Sequence, residues 1–231
     1  MPFVQLKPAE RSFIDMARDL LHFDAIALCE GPSDAELLKL VASEPEANLA
    51  ITDCGGVRGV YEISRYVAVL ARLSRKLKAL GVLVNADELR PADRARGLLN
   101  SLREHGLEVG ELEPVCACFF RTEVEQRPLI VCVAGLGDVP VDKHCIEDHV
   151  LKAFILSGII TLDAIRQATD ELRRLAHARC EEPKVSAKDV LTALGFEPLG
   201  KLRELLVERP SPVHEAFRAL RRLVDLLGHL R

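Results

Sequence analysis

Ala25-Ile26-Ala27-Leu28-Cys29-Glu30-Gly31-Pro32-Ser33-Asp34-Ala35-Glu36 is the stretch on which the fold turns. Its first five residues are apolar and of strand length, and they stop at Glu30-Gly31. Ser33 to Glu36 then has the spacing of a capping box, opening a helix that runs through Val41. A buried strand that passes directly into a helix is the opening of a strand–helix–strand unit.

The same alternation extends outward from it. Upstream, Ala9 to Leu21 carries a helical pattern, with Phe13, Met16, Ala17 and Leu20 on one face. Downstream, Leu49 to Thr52 reads as a second strand, closed by Gly55-Gly56, and a long helix follows from Val57 to Leu80. Gly81 to Val84 is a third strand ending at Asn85-Ala86-Asp87-Glu88. Ala92 to His105 is helical and stops at Gly106, a good C-terminal glycine. Strands and helices joined by short links predict a parallel sheet covered by helices. Val115 to Thr122 and Leu129 to Val133 read as an antiparallel hairpin turning through Glu123 to Arg127. From Ile146 the pattern is helical, in segments 146–156, 162–179, 187–194, 199–207 and 213–230. The expectation is an α/β protein: a mainly parallel sheet flanked by helices over residues 1–158, and a helical C-terminal extension over 159–231. The apolar faces of that extension (Leu162, Ile165 and Leu172; Leu220, Leu223 and Leu227) call for packing on the core or on a second subunit.

Composition sets the outer bounds. Hydrophobic residues make up 48% of the 231, enough for a substantial core, whereas aromatics are only 4% and Trp is absent, so that core is aliphatic. Apolar runs fall far short of the ~20 residues that span a bilayer. The N-terminus lacks the pattern of a secretory signal, so the expected location is cytoplasmic and no membrane is expected as a partner. The seven cysteines include no CxxC pair; Cys116 and Cys118 alternate as on one strand face, a spacing foreign to zinc sites, and buried free thiols are expected. Only three Asn and three Gln occur, a hyperthermophile trend, and disulfides persist in such a cytosol. A net charge of −4 gives no overall attraction to a polyanion, so any contact with nucleic acid needs local basic groups or metal ions.

Ligands of a parallel α/β sheet gather beyond the carboxyl ends of its strands. Acidic residues stand at two such ends: Glu30, with Asp34 close behind, and Asp87-Glu88 after Asn85. Residues of this kind in this order resemble the Toprim domain, the metal-binding module of topoisomerases, primases and certain nucleases. Toprim domains carry Glu-Gly after the first strand and Asp-x-Asp after a later one; here these are Glu30-Gly31 and Asn85-Ala86-Asp87. The resemblance is nearest to stand-alone Toprim-like proteins of unassigned function, related to the nuclease domain of OLD-family proteins. In those, the acidic run is followed by an Arg-bearing helix, as with Asp93-Arg94 and Arg96. Gly137 followed by Ile146-Glu147-Asp148 resembles a later acidic motif of the group. The likeness covers roughly residues 22 to 158.

The resemblance implies a carboxylate cluster holding Mg²⁺ or Mn²⁺, hard cations that prefer oxygen ligands and act on a phosphodiester. Glu30 would be a ligand or general acid/base, and Asp87 a direct ligand. Asn85, Asp34 and Glu88 would complete the set, with Glu147 and Asp148 as further acidic candidates. Asn85 departs from the family pattern and removes one negative charge. The expected function is a metal-dependent phosphodiester enzyme, a nuclease. The alternative is a catalytically degenerate Toprim module binding a nucleotide, nucleic acid or protein partner, and a third reading is a scaffold assembling as a homo-oligomer.

Bland readings stand beside these. Asp34 suits a helix N-terminus, and Glu147-Asp148 a charged first turn. Gly55-Gly56 fits neither a P-loop nor a dinucleotide fingerprint and reads as a tight turn. Arg58, Arg65 and Arg72 recur every seven residues along one helix face, either a phosphate-tracking stripe or a solvated face. His144 and His149, five apart, do not make a helical zinc pair and read as structural.

Overall fold

The computed structural model describes residues 4–6, 22–42, 48–179, 181–182 and 184–228. The expected helix at 9–21 and Cys180 lie outside these residues.

Among the described residues seven strands form one sheet: β1 (Val4–Leu6), β2 (Ala25–Cys29), β3 (Leu49–Asp53), β4 (Ala79–Asn85), β5 (Glu113–Cys116), β6 (Phe119–Val124) and β7 (Arg127–Ala134), in the order β1-β3-β2-β4-β7-β6-β5. β2 lies between β3 and β4 and is parallel to both, with Cys29 opposite Asp53 on one side and Leu83 on the other. β1 is parallel to β3, while β5–β6 and β6–β7 pair antiparallel. Helices α1 (Pro32–Val41), α2 (Val57–Leu73) and α3 (Pro91–Glu104) make the links between parallel strands and after β4, the α/β arrangement read from the sequence. Further helices among the described residues follow the last strand: α4 (Glu147–Leu156), α5 (Leu162–Ala178), α6 (Ala187–Ala193), α7 (Pro198–Glu208), α8 (Pro210–Ala216) and α9 (Arg218–Gly228). Among the described residues no helix is long and apolar enough to cross a membrane.

Several boundaries differ from the sequence expectation for local reasons. α1 begins earlier, with Pro32 in its first turn, and Asp34 accepts the Gly31 N–H at 2.7 Å. The long helix stops at Leu73 instead of Leu80, because the Ser74 hydroxyl accepts the N–H groups of Lys76 and Leu77, a side-chain turn that competes with the helix. The five residues 74–78 then link the helix to β4, which begins at Ala79. The stretch 115–122 is two strands, since Ala117 and Cys118 form a turn between β5 and β6. Glu125 and Gln126, both at positive φ, join β6 to β7 in the twist of a two-residue hairpin. The last helical segment is broken at Phe217 into α8 and α9.

The chain divides into two compact units and passes between them more than once: residues 1–84, 90–133 and 219–231 form one, residues 85–89 and 134–218 the other. The first unit holds the sheet. Its core is aliphatic, as the composition requires, and Leu220, Leu223 and Leu227 of α9 are fully buried in it. A Cβ on Gly81 would lie 2.5 Å from a Leu227 methyl and 3.1 Å from one of Leu223, so a larger residue at this point of β4 would force those side chains to repack.

The second unit is mostly helical. His149, inside α4, is 1% exposed; its Nδ1–H donates to the Ala216 carbonyl at 2.7 Å and its ring lies 5.5 Å from that of Phe217. These contacts tie α4 to the end of α8. Of the α5 positions expected to be apolar and covered, Ile165 is fully buried whereas Leu162 and Leu172 are half-buried. Arg173 of α5 holds Asp142 through two N–H donors, at 2.6 and 3.2 Å, and Asp142 also accepts the Val185 N–H. The guanidinium holds the Asp142 carboxyl below its usual range. That clamp fixes the segment carrying Lys143 and His144.

Candidate functional site

In the first unit, Glu30 follows β2. Its backbone N–H donates to Leu83 at 3.1 Å and its carbonyl accepts from Gly56 at 2.7 Å. Gly55 and Gly56 have φ of 70° and 113°, a conformation that glycine adopts without strain, and their turn delivers the chain into α2. The Glu30 side chain is half-buried at the carboxyl end of the strand. Asp34 is 5% exposed and bonds to the start of its own helix, the role of a helix-start residue. The arginine stripe is uneven. Arg58 is exposed, Arg65 donates to the Tyr61 carbonyl, and Arg72 is ion-paired with the nearly buried Glu125 at 2.9 Å. Arg72 thus shares its charge with Glu125, although its own side chain stays 61% exposed.

The second unit gathers the rest. Asp87 and His144 exchange both backbone hydrogen bonds, at 2.8 and 2.9 Å, in an isolated antiparallel bridge. Paired residues of this kind project to the same side. Asp87 holds φ at +55°, an unusual conformation for a residue with a side chain. The Asn85 Oδ1 accepts the Ile146 N–H at 2.9 Å, fastening the end of β4 to the start of α4. Gly135 has φ of +133°, and a Cβ there would lie 2.7 Å from that of His144 and 3.3 Å from that of Ala86. A glycine is thus required for this close approach.

Charges are paired across the cluster. Lys143 Nζ lies 3.2 Å from Asp87 Oδ1, and Lys184 Nζ lies 2.9 Å from Glu88 Oε1. Asp148 is fully buried and accepts from the Leu136 N–H at 2.8 Å, from His144 Nδ1 at 2.7 Å and from the Cys145 N–H at 3.4 Å. The hydrogen bond to Asp148 raises the pKa of His144 against the opposing effect of burial. Glu147 is half-buried in the first turn of α4.

The sequence reading thus named Asn85, Asp87, Glu88, Glu147 and Asp148, and all five fall in this unit. It did not name Lys143 or Gly135, and it read His144 as structural or solvated. His144 and Asp148 are four apart, a helical neighbour spacing that pairs them; the weighing of His144 against His149 hid it. No comparable signal marked Lys143.

No protein-family model, curated protein or solved structure matches the chain.

The donor set does not suit Mg²⁺ or Mn²⁺ as it stands. Divalent affinity depends on the count of anionic oxygens. Asn85 contributes no charge, and an ammonium group lies against each of Asp87 and Glu88. Asp148 is enclosed by protein donors. Among the described residues no group of three or more His, Cys, Asp or Glu side chains is arranged to hold a metal ion.

Proposed function

We propose that this chain is a Toprim-like module in which metal-dependent phosphodiester cleavage has given way to binding of a phosphate-bearing ligand, a nucleotide or nucleic acid. The observation that carries this reading is the ion pair of Lys143 with Asp87. Asp87 is the position that the resemblance assigns to a metal ligand, and there a fixed ammonium supplies the positive charge that a divalent cation would bring. The side chain of Lys143 is 46% exposed, so a phosphate can approach its ammonium group from solvent. Lys acts as a point charge toward phosphate and needs no metal to do so. Asn85 works in the same direction by lowering the negative charge that would repel a phosphate.

The test is equilibrium binding of labelled DNA, RNA and nucleoside triphosphates in the presence of a chelator. Binding that survives chelation and weakens in Lys143→Gln supports the reading. Absence of binding without a divalent cation sinks it.

The second reading, an active Mg²⁺- or Mn²⁺-dependent nuclease with Glu30 as acid/base, is favoured by one observation. Asp87 keeps a positive φ, and strained backbone at a non-glycine residue clusters at functional sites.

A further inference from the structure

Two thiols in the sheet-bearing unit are placed for chemistry that the carboxylates do not touch. β5 ends at Cys116, which pairs with Phe119, the first residue of β6, so Ala117 and Cys118 form the connecting turn. Residues two apart in an extended strand stand about 6.8 Å apart, at the limit of what a disulfide spans, and a turn shortens that separation. The surroundings hold the turn in place. The Cys118 carbonyl accepts the Val133 N–H at 2.8 Å, Phe119 is 1% exposed and paired with Cys132 of β7, and the Arg222 guanidinium lies 5.9 Å above the Phe119 ring. Cys116 is exposed and Cys118 half-buried, and both are free thiols.

We propose that Cys116 and Cys118 are a reversible dithiol–disulfide site whose oxidant is a peroxide. Cys116, the exposed member, attacks one peroxide oxygen; the O–O bond breaks, leaving a sulfenic acid on Cys116 and, with the thiol proton, one water. The Cys118 sulfur then attacks the Cys116 sulfur. An S–S bond forms, the S–O bond breaks, and the departing hydroxide takes the Cys118 proton as a second water. Two thiols and one hydrogen peroxide give one disulfide and two waters. Burial first, then the charge of a Cys116 thiolate and its hydrogen bond, push the Cys118 thiol up to about 12. As a neutral sulfenic acid, oxidised Cys116 places no charge beside Cys118 when that thiol must attack. A small thiol or dithiol reverses the reaction by exchange.

The third nearby thiol, Cys132, is the competitor. It is fully buried, and burial raises its pKa well above the usual range, which leaves little thiolate to react.

The experiment treats the reduced full chain with hydrogen peroxide, alkylates the remaining thiols, and maps tryptic peptides by mass spectrometry. Cleavage at Arg121 separates Cys116 and Cys118 from Cys132. The expected result is a single peptide, carrying both Cys116 and Cys118, that has lost two hydrogens and resists alkylation until dithiothreitol is added. Cys118→Ser is expected to leave a Cys116 sulfenic acid that dimedone traps, and Cys116→Ser to abolish disulfide formation by Cys118. A Cys118–Cys132 crosslink, covalent dimers through Cys116, direct passage to sulfinic acid, or unchanged alkylation of both thiols would each overturn the proposal.

Discussion

Lys143 Nζ stands 3.2 Å from Asp87 Oδ1, just beyond the carboxyl end of β4. Two adjacent features decide what this pair does. Asn85 spends its side-chain oxygen on the Ile146 N–H, and Asp148 lies buried beneath His144. The local charge is thereby close to balanced before any ligand arrives.

Reversing that balance should create a metal site. Asn85→Asp together with Lys143→Gln adds one negative charge and removes one positive charge, while the new carboxylate can still accept the Ile146 N–H. Closely placed carboxylates repel, so the double variant should melt below wild type in chelator. Mn²⁺ should restore it, by about 2.7 kcal/mol when the ion stands at one hundred times its dissociation constant. Wild type should show no comparable Mn²⁺-dependent rise in Tm. Thermal melts of both proteins with and without Mn²⁺ check this.

Gly135→Ala should be among the most damaging single changes in the second unit. It forces a side chain into positive φ and drives its Cβ against that of His144, which is anchored to backbone and cannot swing away. The expected loss is about 2 kcal/mol or more, read by urea denaturation. Loss below ~0.5 kcal/mol would mean that the segments at Gly135 and His144 do not approach as described.

Two histidines give stability opposite pH dependences. His144 has its pKa raised above 6.5 by Asp148, so its contribution is complete below 6.5 and is lost as pH rises through the folded-state value. His149 has its pKa lowered by burial, and its Nε2 has no hydrogen-bond partner. Its folded form favours the neutral ring, so its contribution is present above 6.5 and is lost as pH falls through the lowered value. His144→Gln should therefore flatten the loss on the alkaline side and leave the acid-side loss intact. Chemical denaturation of wild type and variant across this range checks the sign.

Leu223→Ala in α9 should cost about 2–4 kcal/mol, because the side chain is fully buried against the sheet at Gly81. Gly81→Ala should also destabilise, through overpacking, by about 1–3 kcal/mol. Combining the two should cost less than the sum, since the smaller residue at 223 relieves part of the crowding. A double-mutant cycle in urea measures the coupling.

The parallel part of the fold was legible because each signal is local. Ala25 to Cys29 is an uninterrupted apolar run, Gly106 is a helix stop, and links of helix length force β2, β3 and β4 into parallel register. The stop of α2 was not legible, since it depends on one serine hydroxyl competing with the helix at Ser74. The turn at Cys118 was hidden inside an apolar run that reads equally well as one strand. The candidate site was legible as a set of acidic residues at strand ends, but not as a charge balance. Lys143 and Lys184 come to Asp87 and Glu88 from positions far along the chain, and no spacing rule joins them.

Engagement of phosphate without a divalent cation is the proposal that the Lys143–Asp87 pair carries. Fluorescence anisotropy of a labelled single-stranded oligonucleotide, titrated with protein in EDTA and again in Mg²⁺, with its length checked afterwards, tests it most directly. The account predicts equal binding in both conditions, weakened by Lys143→Gln, with the oligonucleotide intact. Binding only in Mg²⁺, with shortening of the oligonucleotide that Glu30→Ala abolishes, would contradict it.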